Sequence, residues 1–236
     1  MVHAEIPPVS SKEQRREERV RQILDAALDV VLEHGVEGVT IQRMAKILRW
    51  SVGALYRYFP GKEAVLAELQ IRVLSELGDS TVQAIEDALV SPQSAMFPPG
   101  DRALLALLVA ADSYRRMADE QPARFALISG IIATPRQVLQ GKDAESVGLA
   151  LGGLLDRVTR LVEQAEEAEA LQPGSAPART LLLWSSLTGI LQMRKLARLD
   201  PRLDDIPGMV LLLVESLMRG WGADPASLVF LRPFVR

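Results

Sequence analysis

Few residues of this 236-residue chain could do covalent chemistry. There is no cysteine, which excludes disulfides, thiolate metal ligands and a cysteine nucleophile. Only two histidines exist, His3 and His34, which comes close to excluding a histidine metal site or a Ser-His-Asp arrangement. No paired-carboxylate motif is visible. The chain is therefore read as a non-enzyme, with no catalytic residue, metal ligand or cofactor. What remains is recognition chemistry. Across residues 40–62, five cations (Arg43, Lys46, Arg49, Arg57 and Lys62) occur without an acid, in a protein whose formal net charge is −3. Hydroxyl groups at Thr40, Ser51 and Tyr56 lie among them. Such donors suit phosphate oxygens and base edges.

Those side chains need rigid carriers, and the local pattern supplies them. Val20, Ile23, Leu24, Ala27, Val30 and Val31 recur at helical spacing, and Gly35 after His34 is the expected left-handed stop. His34, in the last turn, reads as a packing residue. Thr40 caps a second helix over residues 41–48, with Ile41, Met44, Ala45 and Leu48 inward and Gln42, Arg43 and Lys46 outward. Arg49 and Trp50 form a turn, and Ser51 caps a third helix over residues 52–59. Leu55 and Phe59 share its buried side; Gly53 and Arg57 lie opposite, with Ala54 and Tyr56 at the borders and Val52 at the exposed tip. Pro60 and Gly61 end it, and Lys62 opens the next helix, where free amides favour an anion. Two short helices with a tight turn between them, basic on one side, form a helix-turn-helix able to lie against DNA. Gly53 allows close approach, Tyr56 offers a hydroxyl to phosphate, and Arg57 reaches a phosphate or a guanine edge. Thr40 can give an amide and a hydroxyl to phosphate.

The rest of the chain reads as helical throughout. Residues 62–77 are amphipathic, with Val65, Leu66, Leu69 and Val73 inward; Gly78, Asp79 and Ser80 either break or kink the helix before it resumes to Val90. Residues 91–100 hold three prolines and a glycine and form a loop. Asp101 caps an apolar helix to Glu120, Pro122 starts a short one to Ile132, residues 134–143 connect, and a helix covers 144–170. After the loop of 173–177 come helices over 178–197 and 206–220. Each carries too many apolar residues for one narrow stripe, which implies burial on more than one side. Residues 227–236 have no assignable structure. Residues 1–10, with Pro7 and Pro8, read as a mobile arm, and Lys12, Arg15, Arg16 and Arg19 gather on the helix that follows, interleaved with Glu13, Glu17 and Glu18; they read either as a solvated face laced with ion pairs or as an arm near the phosphate backbone.

Composition sets outer bounds. Nearly half the residues are apolar and only 5% are aromatic, which favours packed helices over sheets. Residues 1–62 hold 10 Lys+Arg against 8 Asp+Glu, a net of +2; residues 63–236 hold 17 against 22, a net of −5. A basic head on an acidic body fits a small nucleic-acid module joined to something that should not bind nucleic acid. The N-terminus lacks the pattern of a signal peptide, and the apolar runs are too short to span a bilayer, so a cytoplasmic protein with no membrane partner is expected.

The residues from Thr40 to Met44-Ala45, then Ser51, Gly53, Leu55-Tyr56, Phe59 and Lys62, together with His34-Gly35 and Val39-Thr40, resemble the N-terminal domain of the tetracycline-repressor (TetR) family of bacterial transcription regulators. The resemblance covers about residues 18–70. It implies an all-α protein: a three-helix DNA-binding head over 1–61, a connecting fourth helix, and a ligand-binding and dimerisation core over 62–236. It implies a homodimer through the helices at 178–197 and 206–220, double-stranded operator DNA as partner, and a repressor released by a small-molecule effector. On these positions the DNA contacts would be Thr40, Arg43, Ser51, Val52, Gly53, Ala54, Tyr56, Arg57 and Lys62. The chain departs from the family at Leu48-Arg49-Trp50, where Ala-Gly-Val is usual. Arg49 must then take a left-handed conformation, at about 1 kcal/mol, or the turn differs. Trp50 either plugs the head's core or faces DNA. Val52 replaces a polar or basic side chain and suits a thymine methyl. In the body, Phe97, Tyr114, Met117, Phe125 and Trp184 are candidate ligand contacts for an apolar or aromatic effector. The alternatives are a helical enzyme, carrier or ligand-binding protein with a vestigial head, and a dimerising adaptor without a pocket.

Overall fold

The structure, a computed structural model, describes residues 11–133, 141–200 and 204–235. The expected arm at 1–10 and most of the connection at 134–143 lie outside them. Among the described residues every regular element is a helix: α1 Ser11–His34, α2 Ile41–Leu48, α3 Val52–Tyr56, α4 Lys62–Val90, α5 Pro99–Glu120, α6 Pro122–Ala133, α7 Gly141–Glu167, α8 Ala176–Met193, α9 Ile206–Gly220 and α10 Pro225–Leu231. The short links at Val36–Gly38, Ser94–Met96, Arg194–Leu199 and Arg232–Phe234 are 3-10 turns.

In the head, α1 packs on α2 and α4, and α2 packs on α3. Ile23, Leu24, Ala27, Val30, Met44, Ala45, Leu55 and Phe59 form its buried centre. Gly35, at φ 71°, ends α1, its amide donating to Val31 O at 2.9 Å. In the body, α5 is wrapped by α4, α6, α7, α8, α9 and α10. Leu104 through Ala111 are all buried, as a helix covered on every side requires. A single apolar cluster runs from the head through α4 into the body.

Several boundaries differ from the sequence reading. The third helix ends at Tyr56, three residues early, although the chain stays coiled: the Phe59 amide still donates to Leu55 O at 3.0 Å. α5 begins at Pro99, not at Asp101, because proline at a first helical turn forfeits no hydrogen bond. α7 spans 141–167, not 144–170. α8 starts at Ala176, capped by Ser175, and gives way to a 3-10 turn at Arg194. Residues 225–234, unassigned from sequence, form α10 and a closing turn, with Asp224 capping through Ser227 N at 3.1 Å.

Gly78 neither breaks nor stops α4, which continues through it. It is buried where α7 crosses; an added Cβ would lie 2.8 Å from Arg157 Nη1 and 3.4 Å from Leu154 Cδ1. The nearest atom is the tip of a flexible side chain that pairs with Asp79 at the exposed surface, at 3.0 Å. Gly78→Ala gains helix propensity of about 1 kcal/mol and loses at most a surface ion pair of about the same size. The expected outcome is a Tm unchanged or raised by a few degrees; a marked fall in calorimetry would mean that the helices cannot accommodate the methyl group.

The tail is fastened by charge. Glu215 on α9 is 2% exposed. Its carboxylate accepts from Arg232 Nε at 2.6 Å and Nη2 at 2.7 Å, and from Arg219 Nη2 at 3.0 Å. The paired Arg232 guanidinium holds the Glu215 carboxyl below the usual carboxylate range, with Arg219 adding to the effect and burial opposing it. Beside this clamp, Phe97 packs edge-on against Phe230 and Phe234, with ring centroids 5.2 and 5.0 Å away.

Candidate nucleic-acid interface

α2 and α3 are held by side chains that also face outward. The Thr40 hydroxyl oxygen accepts from the Arg43 amide at 3.2 Å, and the Ser51 hydroxyl oxygen accepts from the Ala54 amide at 3.2 Å. Each cap uses an oxygen lone pair and leaves the hydroxyl hydrogen free to donate to a phosphate. Between them Arg49 adopts the left-handed conformation, φ 56° and ψ 37°. The Trp50 amide then reaches back to Ala45 O at 2.9 Å and the Arg49 amide to Lys46 O at 3.3 Å. This closure normally uses glycine at the left-handed position and an apolar residue after it. Trp50 is that apolar residue: half-buried, packed against the core, 6.1 Å from the Tyr58 ring and covered by the Arg19 guanidinium 4.7 Å from its centroid. Of the two places considered for Trp50, the core side is the one it takes, with part of the ring left open.

Outward from this frame stand Val52, 38% exposed, Gly53, Tyr56, 51% exposed, and Arg57, with Ala54 half-buried beside them. Leu55 at 0% and Phe59 at 7% anchor the opposite side. Arg43 is also exposed, but its Nη1 donates to Gly38 O at 2.6 Å, which ties its guanidinium to the turn before α2. Lys62 begins α4 after Gly61, and no side chain caps that end. All nine expected contact residues thus lie on three successive helix starts and the α3 surface, with the core-facing residues excluded.

The body residues divide. Tyr114, Trp184 and the apolar side chains of Leu77, Leu154, Val158, Leu183 and Leu187 line a cavity of about 60 Å³ between α4, α5, α7 and α8. The Tyr114 hydroxyl lies 3.0 Å from Thr188 Oγ1, and Thr188 spends its own proton on Trp184 O at 2.8 Å. Tyr114 is therefore the donor, and burial pushes its phenol pKa up. Phe125 packs on the Tyr114 ring at 5.7 Å, behind the cavity wall. Met117 is buried on the neighbouring turn of α5 and faces a separate polar groove between α4, α5 and α6. Phe97 is remote from both, in the tail cluster. Thr188 and the α7 residues Leu154 and Val158 carried no signal in the sequence, because their meeting with Tyr114 or Leu77 is a contact between distant helices.

Comparison with known proteins agrees with this arrangement. The family model described as bacterial regulatory proteins, tetR family, matches residues 23–69, which covers α2, α3 and the turn between them. The chain is 32% identical over 75 residues to the HTH-type transcriptional regulator BetI 1 of Chromohalobacter salexigens, a match covering 32% of this chain and 37% of that one. The chain spans under half the length of this and two further curated relatives, 37%, 48% and 44%. A longer match, 24% identical over 224 residues, covers 86% of this chain and 91% of the HTH-type transcriptional regulator Rv1816 of Mycobacterium tuberculosis. Among solved structures, the fatty acid degradation regulator FadR of Bacillus halodurans has the same fold at a TM-score of 0.64 and 17% identity, covering 87% of this chain and 97% of that one. The helix-turn-helix segment of the chain thus matches the tetR family of bacterial regulatory proteins, and its all-helical fold is shared with that solved structure.

Proposed function

We propose that the protein is a DNA-binding transcriptional repressor, released from its operator by a small apolar or aromatic effector. One observation carries the reading: the outward surface of α3, with the capped starts of α2 and α3 and the uncapped start of α4 around it. On this reading residues 1–61 are the DNA-binding domain and residues 62–236 the effector-binding and dimerisation domain. α3 enters the major groove, where Val52, Gly53, Ala54 and Arg57 meet base edges. Thr40, Arg43, Ser51, Tyr56 and Lys62 hold the phosphates.

The protein acts as a homodimer through α8 and α9. Leu181, Leu182 and Met193 on α8 and Leu212 on α9 are exposed in the single chain, a cost that burial against a second copy removes. Two heads then address successive major grooves about 34–36 Å apart. The effector enters the cavity beside Tyr114 and Trp184. At about 60 Å³ that cavity is far below the ~300–1,000 Å³ of a typical ligand site. Occupancy must push α4, α5, α7 or α8 apart. α4 carries such a movement to the head: Arg72 on α4 pairs with Asp25 on α1 at 2.7 Å, and Arg124 on α6 pairs with Glu76 on α4 at 2.5 Å. Effector and DNA then weaken each other by the same factor.

Fluorescence anisotropy with DNA from upstream of the protein's own gene tests the reading. Tyr56→Phe and Lys62→Ala are expected to weaken binding to every sequence by about tenfold or less. Lys62→Ala should also lower the salt slope by about 0.9. Val52→Ala and Arg57→Ala should instead change which base pairs are preferred, by about 1–3 kcal/mol at one position. Absence of any salt-sensitive, sequence-selective binding by the wild-type protein would overturn the function itself.

A further inference from the structure

The first two turns of α1, residues 11–17, are exposed throughout, and Val20 is the first side chain to pack against the core, yet the exposed residues are not randomly arranged. From Ser11 to Val20 no residue of α1 is buried; the first buried side chain is Ile23. At about 100° per residue, Lys12, Arg15, Arg16 and Arg19 fall on the line that Ile23, Ala26, Ala27 and Val30 continue. The face of α1 that is apolar inside the head is therefore cationic once the helix leaves it. Glu13, Glu17 and Glu18 lie off that line, and Glu18 is already engaged by Arg21 and Gln22. Among the described residues no ion pair or hydrogen bond holds Lys12, Arg15 or Arg16.

The direction of this stripe is set by its last member. The Arg19 guanidinium lies over the Trp50 ring, 4.7 Å from its centroid. Trp50 immediately precedes Ser51, the cap of α3, and the start of a recognition helix is the end that reaches the bases. The projecting part of α1 is thus pinned alongside the DNA-facing end of α3. Two helical turns that project without core contacts are marginal by themselves. Four like charges at i, i+3, i+4 and i+7 weaken the segment further by repulsion, unless an anion neutralises them.

We infer that Lys12, Arg15 and Arg16 form a second DNA-contacting surface, which binds the phosphate backbone flanking the bases addressed by α3 and is held in position by the Arg19–Trp50 stack. The inference rests on the DNA-binding reading above. It makes the interface longer than the helix-turn-helix, and it adds affinity without adding base preference.

The test uses the full-length protein and an operator selected with it, in two lengths: one trimmed to the bases α3 reads and one extended by about half a helical turn on each side, ~5 bp. The variant carries Lys12→Ala, Arg15→Ala and Arg16→Ala together; all three side chains are exposed, and an unchanged thermal melt confirms an intact fold. Wild type is expected to bind the long duplex at least tenfold more tightly than the short one. The variant should bind both alike, with a salt slope on the long duplex lower by about 2.7 per head, at ~0.9 per lost phosphate contact, and with the same preferred bases. Arg15→Lys with Arg16→Lys should restore wild-type behaviour, since phosphate needs only the charge. If wild type binds the operator but the alanine variant matches its affinity and salt slope on both duplexes, the stripe is only a solvated surface. If the preferred bases change, α1 reads sequence, and the backbone assignment is wrong. If wild type binds no DNA at all, it is the functional reading above that fails, a different outcome from either.

Discussion

Leu55→Ala is expected to abolish operator binding while the body stays folded. α3 has five residues, far fewer than an isolated helix needs to persist in water. Its position depends on what it buries, and Leu55, at 0% exposure, is the side chain that α3 itself commits to the head's core, with Phe59 following at 7%. Truncating a buried leucine costs about 2–5 kcal/mol, the upper part of the range applying where the surroundings cannot collapse into the gap. Here Met44 and Ile23, both at 0% exposure, line the same small core from helices already fixed by their own contacts. Because local opening can occur below the global unfolding free energy, the loss should fall on the head. Hydrogen exchange should show lost protection at the amides of 52–59 and retained protection in α5. DNA binding should fall below detection, whereas the surface change Val52→Ala should shift stability by less than about 0.5 kcal/mol. Wild-type affinity in Leu55→Ala would mean that α3 is not the recognition element.

Glu215→Gln is expected to free the C-terminal segment. The amide keeps the shape of the carboxylate but loses the charge that binds two guanidinium groups. Hydrogen bonds to a charged group contribute about 1.5–3 kcal/mol each, and the cations here are half-exposed, so the net loss should be on the order of 2 kcal/mol. α10 and the turn carrying Phe234 should then become protease-sensitive first. The pH dependence identifies the cause. Because the carboxyl pKa is lowered in the folded state, its contribution is complete above the unfolded value of about 4.3 and is lost as pH falls through the lowered folded value. Denaturant titrations should therefore find wild type more stable than Glu215→Gln at pH 7, with the difference closing as pH falls below about 4. A difference that stays constant down to pH 3 would show that charge on Glu215 is not what holds the tail.

Much of the head was legible because its signals are local. Thr40 and Ser51 announce helix starts through bonds to amides three residues ahead, and both caps form. The i, i+3, i+4 pattern of Ile41, Met44 and Ala45 identifies the buried side of α2, and those three are buried. The limits of α2 and α9 follow from caps and periodicity alone. Arg49 was legible as a choice between a left-handed residue and an altered turn; the choice is settled by the backbone bond from Trp50 to Ala45. The end of α3 was not legible, because Leu55 and Phe59 keep helical spacing even where the coil loosens after Tyr56.

In the body, sequence and tertiary structure part at residues whose meaning is a partner's position. Gly78 looks like a helix breaker in one dimension; in three it is a buried position of the continuous α4, covered by Arg157 and Leu154 of α7. Phe97, Tyr114, Met117, Phe125 and Trp184 are alike as scattered large side chains. Packing sends Tyr114 and Trp184 to one cavity, Phe125 behind it, Met117 to another groove and Phe97 to the tail. Glu215 and Arg232 are two charged residues 17 positions apart, with no periodic relation that would reveal their pairing. What the sequence by itself determined is therefore the all-helical architecture, the helix-turn-helix and the outward set from Thr40 to Lys62, because caps, turns and periodicity act within about one or two helical turns. What only the tertiary structure decided is which distant helices meet, the cavity they leave between them and the clamp that ties down the tail, because side-chain contacts between helices depend on crossing geometry that no local pattern encodes.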